Sequence, residues 1–142
     1  MQLILATDYA IRSILYLTLV ERMATASEVS EKMKIPKQYL VTTSRKLKAA
    51  DLIAAVPGVS GGYFLARPPE EITLLDIIKA TEGTILFDRC LEHNEDCCSV
   101  LKQSECPVRE VYVGLQSIME ETLSKVTIAK LRTQMEKNIS HD

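Results

Sequence analysis

The sequence lacks a segment of the kind that crosses a membrane or directs export. It has no run of about 18 consecutive apolar residues, the length that a bilayer requires. Met1 leads directly into a helix-like pattern, without a basic region or a small-residue cleavage site, so we expect no secretory signal. These absences predict a cytoplasmic protein with no membrane partner. Structural disulfides are rare in that reducing compartment, so its cysteines need another explanation.

Motifs of common enzyme classes are also missing. The chain has no glycine pattern for nucleotide binding, no paired carboxylates and no nucleophile placed beside a base, so an enzyme is not expected. What is present is a length of 142 residues, of which 46% are hydrophobic. Those values suit one compact domain, or a small domain with an oligomerisation arm.

Charge is distributed unevenly along the chain. Through residue 70 there are nine Lys and Arg against six Asp and Glu, whereas the remainder has eight against thirteen. No acidic residue occurs between Glu31 and Asp51, a stretch that contains six Lys and Arg. This local excess predicts a surface that meets a polyanion, and the alternative is an ordinary solvated face.

The basic stretch lies within the pattern of a helix-turn-helix. Apolar spacing predicts a first helix from about Leu3 to Val20. Thr25 followed by Glu28 predicts a capping box for a short second helix, and Pro36 is expected to open a third. The third helix has an apolar back and a polar, basic front. The residues expected to contact DNA are Lys37, Gln38, Thr42, Arg45, Lys46 and Lys48.

Two short apolar segments follow the third helix and flank several glycines. The segment from Leu52 to Val56 and the segment from Tyr63 to Ala66 are separated by Pro57-Gly58 and Gly61-Gly62, which predicts a β-hairpin. A hairpin at this point turns a helix-turn-helix into a winged helix. The predicted fold class is therefore mostly α with a small β-hairpin wing: a winged helix-turn-helix domain plus a long dimerisation helix.

The C-terminal half is predicted to contain three more helices, spanning about 73–81, 107–125 and 127–137. In the long helix that starts at Pro107, apolar residues repeat every three or four positions; these are Val108, Val111, Tyr112, Leu115, Ile118 and Met119, with Thr122. Such a stripe favours a homodimer, and packing back onto its own domain is the alternative. We divide the chain into a DNA-binding domain at 1–83, a cysteine-rich loop at 84–106 and the dimerisation and C-terminal helices at 107–142.

All four cysteines lie in one short polar segment, CLEHNEDCCSVLKQSEC, from Cys90 to Cys106. Cysteines that serve as small hydrophobic residues are instead scattered among apolar neighbours. Thiols clustered on a polar loop indicate a metal, cluster or redox site. An iron–sulfur cluster, a structural zinc ion and a cluster-free thiol switch all remain open from these residues alone.

Five segments together resemble a known protein family: LATDYAIRSILYLT, IPKQYLVTTSRKLKAADLI, GVSGGYFLAR, ITLLDIIKATEG and the cysteine loop before a long helix. They are similar to the winged-helix bacterial regulators that include IscR, NsrR and RirA. The resemblance spans nearly the whole chain. It implies a homodimeric transcription regulator, expected to be a repressor, that binds a palindromic operator in double-stranded DNA. Pro57 stands where related proteins often carry an arginine, so the recognition helix is expected to provide more of the specificity.

The resemblance also implies an iron–sulfur cluster, with 2Fe–2S favoured over 4Fe–4S and zinc as the alternative. Cys90 matches the first ligand and Cys106 the last, whereas Cys98 is preferred to its neighbour Cys97 for the middle position. For the fourth ligand, Asp8 matches the first-helix acid of the NsrR-like branch, which the resemblance allows to come from the same chain or from across the dimer. The histidine of the IscR-like branch is replaced by Arg109.

Two of these assignments have simpler alternatives. Asp8 precedes Arg12 by four residues, the spacing of an ordinary helix ion pair. His93, a less certain ligand like Cys97, could equally be a solvated side chain in an acidic loop.

Overall fold

Six α-helices and one β-hairpin make up the described part of the chain. The structure is a computed structural model that describes residues 2–92 and 97–141. In chain order the elements are α1 (Leu5–Val20), α2 (Ala26–Met33), α3 (Lys37–Ala49), β1 (Ile53–Val56), β2 (Gly62–Leu65), α4 (Leu74–Glu82), α5 (Pro107–Ser124) and α6 (Ile128–Ser140). Three short 3-10 turns, Pro69–Glu71, Arg89–Leu91 and Gln103–Glu105, lie between them. The predicted fold class, mostly helical with a small antiparallel hairpin, is confirmed.

Helix α1 runs through the centre of the fold. It begins at Leu5, two residues later than predicted: Ile4 is the extended N-cap residue, and its backbone N–H donates to the Glu82 carboxylate at the end of α4 (2.8 Å). Its buried face mixes Ala10, Ile14 and Leu17 with small hydroxyl residues. Two of the hydroxyl groups bond within the helix: Ser13 donates to the carbonyl of Tyr9 and Thr18 to that of Ile14, each one turn earlier and at 2.7 Å.

Only half of the capping box predicted for α2 forms. The Thr25 side chain accepts a hydrogen bond from the Glu28 backbone N–H (3.1 Å), as expected. The Glu28 carboxylate instead accepts hydrogen bonds from Arg22 and from the Tyr16 hydroxyl, both at 2.6 Å. The Arg22 hydrogen bond and then the Tyr16 one lower the pKa of Glu28 to about 2. Glu28 therefore connects α2 to Tyr16 of α1, and the positive charge of Arg22 offsets its negative charge.

The turn between α2 and α3 is closed by backbone and side-chain hydrogen bonds. Lys34 adopts a left-handed conformation (φ 53°), and the N–H of Ile35 donates to the carbonyl of Ser30 (3.0 Å). Pro36 occupies the N-cap of α3, one position earlier than predicted. Leu40, Thr43 and Leu47 are buried on the back of α3, as the sequence pattern predicts.

The wing is anchored to the segment that precedes α2. Strands β1 and β2 pair antiparallel, with Val56 opposite Gly62. The backbone of Ala24 then exchanges two hydrogen bonds with Tyr63, at 2.9 and 2.8 Å. This bridge adds a short third edge to the hairpin and brings the Ala24 backbone against Gly62, which explains why that position is glycine.

Gly62→Ala is therefore expected to destabilise the wing. A Cβ atom at this position would lie 2.3 Å from the carbonyl oxygen of Ala24, so the backbone must move. We expect a loss of about 2–3 kcal/mol in the free energy of unfolding, at the upper end of ordinary single substitutions. Chemical denaturation would measure it. Gly114→Ala is the control, since nothing lies within 4 Å of its Cβ; equal effects of the two substitutions would contradict the close-contact explanation.

Helix α6 folds back against α1. Thr73 caps α4 through a full capping box with Asp76, and the N–H of Leu74 donates to the carbonyl of Val126 (2.9 Å). Ile128 at the start of α6 is fully buried, and Arg132 forms an ion pair with Glu21 at the end of α1. In the described residues, no helix is long and apolar enough to span a bilayer.

Candidate functional site

The six residues predicted to contact DNA all lie on α3 and are all exposed. Gln38, Thr42 and Arg45 follow one another at spacings of four and three, so they share one face of the helix. That face lies opposite the buried Leu40 and Leu47. The arrangement provides amide, hydroxyl and guanidinium groups that can hydrogen-bond base edges in a major groove.

The basic residues on the flanks of α3 have different surroundings. Lys37 lines a groove of about 340 Å³ together with the wing and the first residues of α2. Lys46 extends towards α4, where its Nζ donates to the carbonyl oxygen of Thr81 (3.1 Å). Lys46 thus already contacts the last turn of α4, whereas Lys48 has an exposed side chain.

The tip of the wing carries no charge. Its turn comprises Pro57, Gly58, Val59, Ser60 and Gly61. Gly58 has a φ of 106°, a backbone conformation that residues other than glycine rarely adopt, and Val59 is fully exposed. The wing can therefore approach DNA through backbone and small apolar groups but not through a basic side chain at its tip.

All four cysteines line one pocket of about 370 Å³. None of them forms a disulfide. Other residues around the pocket come from the 3-10 turn at Arg89–Leu91, the segment 101–103 and the first turns of α5. The described lining includes three basic side chains, Arg89, Lys102 and Arg109, against one acid, Asp88. The surroundings of the thiols thus favour a negatively charged occupant.

Cys90 and Cys106 are the better anchored pair. Both are partly buried, whereas Cys97 and Cys98 are exposed. The backbone N–H of Cys90 donates to the Asp88 carboxylate (2.9 Å), and its carbonyl accepts from the Gln103 side chain (3.3 Å). Cys106 is the N-cap of α5. The two ends of the cysteine loop are therefore held against each other.

The pKa of the Cys90 thiol is raised above its ordinary value. Desolvation by burial is the largest cause, and the hydrogen bond and negative charge of Asp88 act in the same direction. The positive charge of Arg109 opposes them. The raised pKa favours the protonated form of the Cys90 thiol, which would lose its proton on binding a metal.

The four thiols share a pocket but do not lie at the mutual distances of metal ligands. Across residues 2–92 and 97–141, no group of three His, Cys, Asp or Glu side chains is close enough to hold a metal ion. Donor chemistry nevertheless fits a thiolate-ligated metal group, because four soft sulfur ligands face one cavity. The surroundings of Arg109 also fit such a group, because its buried Nε has no hydrogen-bond partner within the described part of the chain.

The two remaining candidate ligands lie elsewhere. Asp8, in the first turn of α1, is exposed and forms an ion pair with Arg12. It does not line the cysteine pocket of its own chain. Arg12 also donates to the carbonyl of Met33 (3.1 Å) and lies over the Tyr9 ring. His93 falls outside the described residues.

The apolar stripe of α5 divides into two faces. Tyr112 packs its ring against Phe87 at 5.2 Å between centroids, and Gln116 accepts from the Phe87 N–H (2.6 Å), so this face contacts the chain's own 84–88 segment. Four apolar residues on the other face are 40–62% exposed: Val108, Val111, Leu115 and Ile118. Their exposure leaves a continuous apolar strip on the surface of the described chain.

Sequence patterns missed several contacts around the site. Glu82 accepts hydrogen bonds from Ile4 and Thr7 of α1 at 2.8 and 2.6 Å, and the neighbouring Thr81 holds Lys46 of α3. The start of the cysteine loop is thereby connected to both helices. In the sequence, Arg109 stands out only because it occupies the position of the histidine ligand of related regulators. Its spacing of three from Cys106 was the one available signal that it would lie beside the thiols.

Comparisons with known proteins cover nearly the whole chain. The family model described as "Rrf2: Iron-dependent Transcriptional regulator" matches residues 5–134. The HTH-type transcriptional regulator NsrR of Shouchella clausii is 31% identical over 133 residues, which are 92% of this chain and 88% of that protein.

Solved structures have the same fold. T. potens IscR superposes with a TM-score of 0.74 at 25% identity, covering 97% of this chain and 90% of that one. CymR, described as the global cysteine regulator of B. subtilis, has a TM-score of 0.76 at 23% identity and covers 94% and 98% of the two chains. The likeness to CymR shows the fold alone. Together these matches confirm the winged-helix architecture predicted from the sequence.

Proposed function

Because the chain belongs to the Rrf2 family of iron-dependent transcriptional regulators, we propose that it is a homodimeric repressor whose affinity for DNA is controlled by an iron–sulfur cluster. Like its relatives, the protein is a transcriptional regulator and is not an enzyme. The observation that carries the cluster proposal is that all four cysteines line a single pocket. A cytoplasmic location, where thiols remain reduced, suits both activities.

DNA recognition is assigned to the exposed front of α3. Gln38, Thr42 and Arg45 contact base edges, while Lys37 and Lys48 on the wing-side flank contact phosphates. Lys46 joins the phosphate contacts or keeps its hydrogen bond to Thr81. Asp8 of α1 and Glu28 of α2 are each paired with an arginine, which offsets their negative charge.

Substitutions at Arg45 and Lys48 should have different effects on DNA binding. Arg45→Ala is expected to cost about 1–3 kcal/mol on a cognate operator and to relax sequence preference, because it removes a base-edge donor. Lys48→Ala should weaken binding to all sequences alike and reduce the salt slope by about 1, because it removes a phosphate contact. Binding isotherms at several salt concentrations measure both. Lys137→Ala, on α6, is the control; if all three variants bind like the wild type, α3 is not the recognition helix.

The homodimer is assigned to the exposed apolar face of α5. Four aliphatic side chains in one strip are more than a surface helix usually exposes, and a second copy of the same helix would cover them. A two-fold dimer carries two recognition helices and therefore matches a palindromic operator.

Cys90, Cys98 and Cys106 would hold the cluster, with Asp8 as the fourth ligand, donated by the partner subunit because it does not line its own chain's pocket. Such a cluster supplies a redox-active and nitric-oxide-reactive centre, with 2Fe–2S favoured over 4Fe–4S. Binding would draw the thiols together and reorder the 84–106 loop. Since Thr81 and Glu82 at the base of that loop contact α3 and α1, reordering could shift the recognition helix.

A zinc-bound or cluster-free thiol switch is the second candidate. It is favoured by the exposure of Cys97 and Cys98, which leaves both sulfurs accessible to oxidants. Structural zinc would also accept four thiolates from this pocket.

Metal analysis of the full chain purified without oxygen tests the proposal directly. We expect iron and acid-labile sulfide in equal amounts, visible absorbance, and an operator affinity that changes when nitric oxide or air destroys the cluster. Stoichiometric zinc without sulfide would overturn the cluster and leave the DNA-binding assignment intact. Metal-free protein whose DNA affinity responds to peroxide would favour the thiol switch.

A further inference from the structure

Arg109 has a buried hydrogen-bond donor with no acceptor among residues 2–92 and 97–141. Its Nε atom is shielded from solvent and has no partner in the part of the chain that the structure describes. The residue lies in the first turn of α5, three positions after Cys106. Its side chain lines the cysteine pocket, and on its other side it lines a smaller groove together with Cys106.

An orphaned donor on a charged side chain is unusual in a folded protein. Buried N–H groups are almost always paired, because losing water without gaining an acceptor costs free energy. Arginine also stays protonated at any physiological pH and has no lone pair to offer a metal. Arg109 therefore cannot replace the histidine ligand of related regulators, but it can donate to an acceptor that enters the pocket.

The acceptor that suits this position is a negatively charged sulfur. An iron–sulfur group held by three thiolates and one carboxylate carries net negative charge, and reduction adds one more electron. Hydrogen bonds to the sulfur atoms and nearby positive charge stabilise the reduced form more than the oxidised form. Of the pocket's three basic residues, only Arg109 is partly buried; Arg89 and Lys102 are exposed.

We propose that Arg109 is a positioning residue that donates its Nε–H to a sulfur of the cluster bound in this pocket and raises the cluster's reduction potential. The inference rests on the function proposed above. It assigns to this position a role in tuning the sensor, in place of the ligand that related proteins carry there.

Substitution of Arg109 by glutamine removes the charge and the Nε donor. We expect Arg109→Gln to retain iron and sulfide but to have a more negative midpoint potential in an anaerobic dithionite titration. A tenfold change in the one-electron equilibrium corresponds to about 59 mV, which is the order of shift expected. Arg109→Lys keeps the charge without the Nε donor and should give a smaller shift. Arg89→Gln removes an equal charge from the exposed rim and should shift the potential least.

A second measurement reports the hydrogen bond itself. Transfer of the wild-type holoprotein from water to deuterated water should shift its Fe–S stretching bands in resonance Raman spectra, and Arg109→Gln should lose part of that shift. Loss of iron and sulfide from both Arg109 variants but not from Arg89→Gln would contradict the expected retention and would assign Arg109 to cluster assembly instead of tuning. Unchanged potential and unchanged isotope response in Arg109→Gln would overturn it while leaving the cluster in place. Wild-type protein without iron and sulfide would instead refute the proposed function.

Discussion

Alanine in place of Cys90 or Cys106 is expected to abolish the visible absorbance of the cluster, whereas Cys97→Ala should retain most of it. Cys90 and Cys106 are partly buried and are held by the Asp88 and Gln103 contacts and by the start of α5. Loss of either removes a ligand that the loop cannot easily replace. Only one of the adjacent Cys97 and Cys98 is expected to point at the metal, and Cys98 is the preferred one.

Iron, sulfide and absorbance measurements on each variant after anaerobic reconstitution check this prediction. Cys98→Ala serves as the matched comparison for Cys97→Ala, because both side chains are exposed and differ by one position. Full cluster content in Cys90→Ala or Cys106→Ala would contradict the ligand assignment. If Cys97→Ala loses the cluster and Cys98→Ala retains it, Cys97 is the middle ligand and Cys98 is not.

The role of Asp8 can be separated from its ion pair by a second substitution. Asp8→Ala should leave a weaker or altered cluster if the carboxylate is a ligand. Arg12→Gln breaks the same ion pair, which is worth only a few tenths of a kcal/mol at a helix surface, but leaves the carboxylate in place. Equal cluster content and spectra in the two variants would favour the ion pair as the only role of Asp8.

Glutamate at Val111 or Leu115 is expected to convert the homodimer into monomers and to weaken operator binding by about 10²–10⁴-fold. These side chains are 59% and 40% exposed in the single chain, in the strip that we assign to the dimer. Burying a carboxylate between two identical apolar helices leaves like charges facing each other without partners. Each monomer then binds one half-site and loses the effective concentration that the linked second half-site provides.

Sedimentation at micromolar concentration, together with operator titrations, measures both effects. Ser117→Glu places the same charge on an exposed position of α5 away from the apolar strip and should remain dimeric. A wild-type protein that sediments as a monomer at this concentration would contradict the dimer. If the Val111 and Leu115 variants remain dimeric, the dimer interface lies on another surface.

Local sequence patterns were sufficient to predict the elements of the fold. Apolar residues at helical spacing, the N-capping Thr25 and the glycines between two apolar segments each depend on interactions within a few residues. For that reason the structure contains the predicted third helix and the predicted hairpin. Details that depend on distant residues were not predictable: Glu82 accepts a hydrogen bond from Ile4 just before α1, and Arg22 and Tyr16 bind the Glu28 carboxylate that a full capping box would use.

The resemblance of the sequence to known regulators was sufficient to identify the family, and the cysteine segment indicated a metal or redox site. Tertiary structure alone decided which groups surround that site. The convergence of four thiols, the orphaned Arg109 donor and the contact from Lys46 to Thr81 join residues from different elements. It also decided that Tyr112 faces inward while Val111 and Leu115 face solvent. The physical reason is that spacing along a helix groups residues by face, whereas only packing against the rest of the chain determines which face is covered.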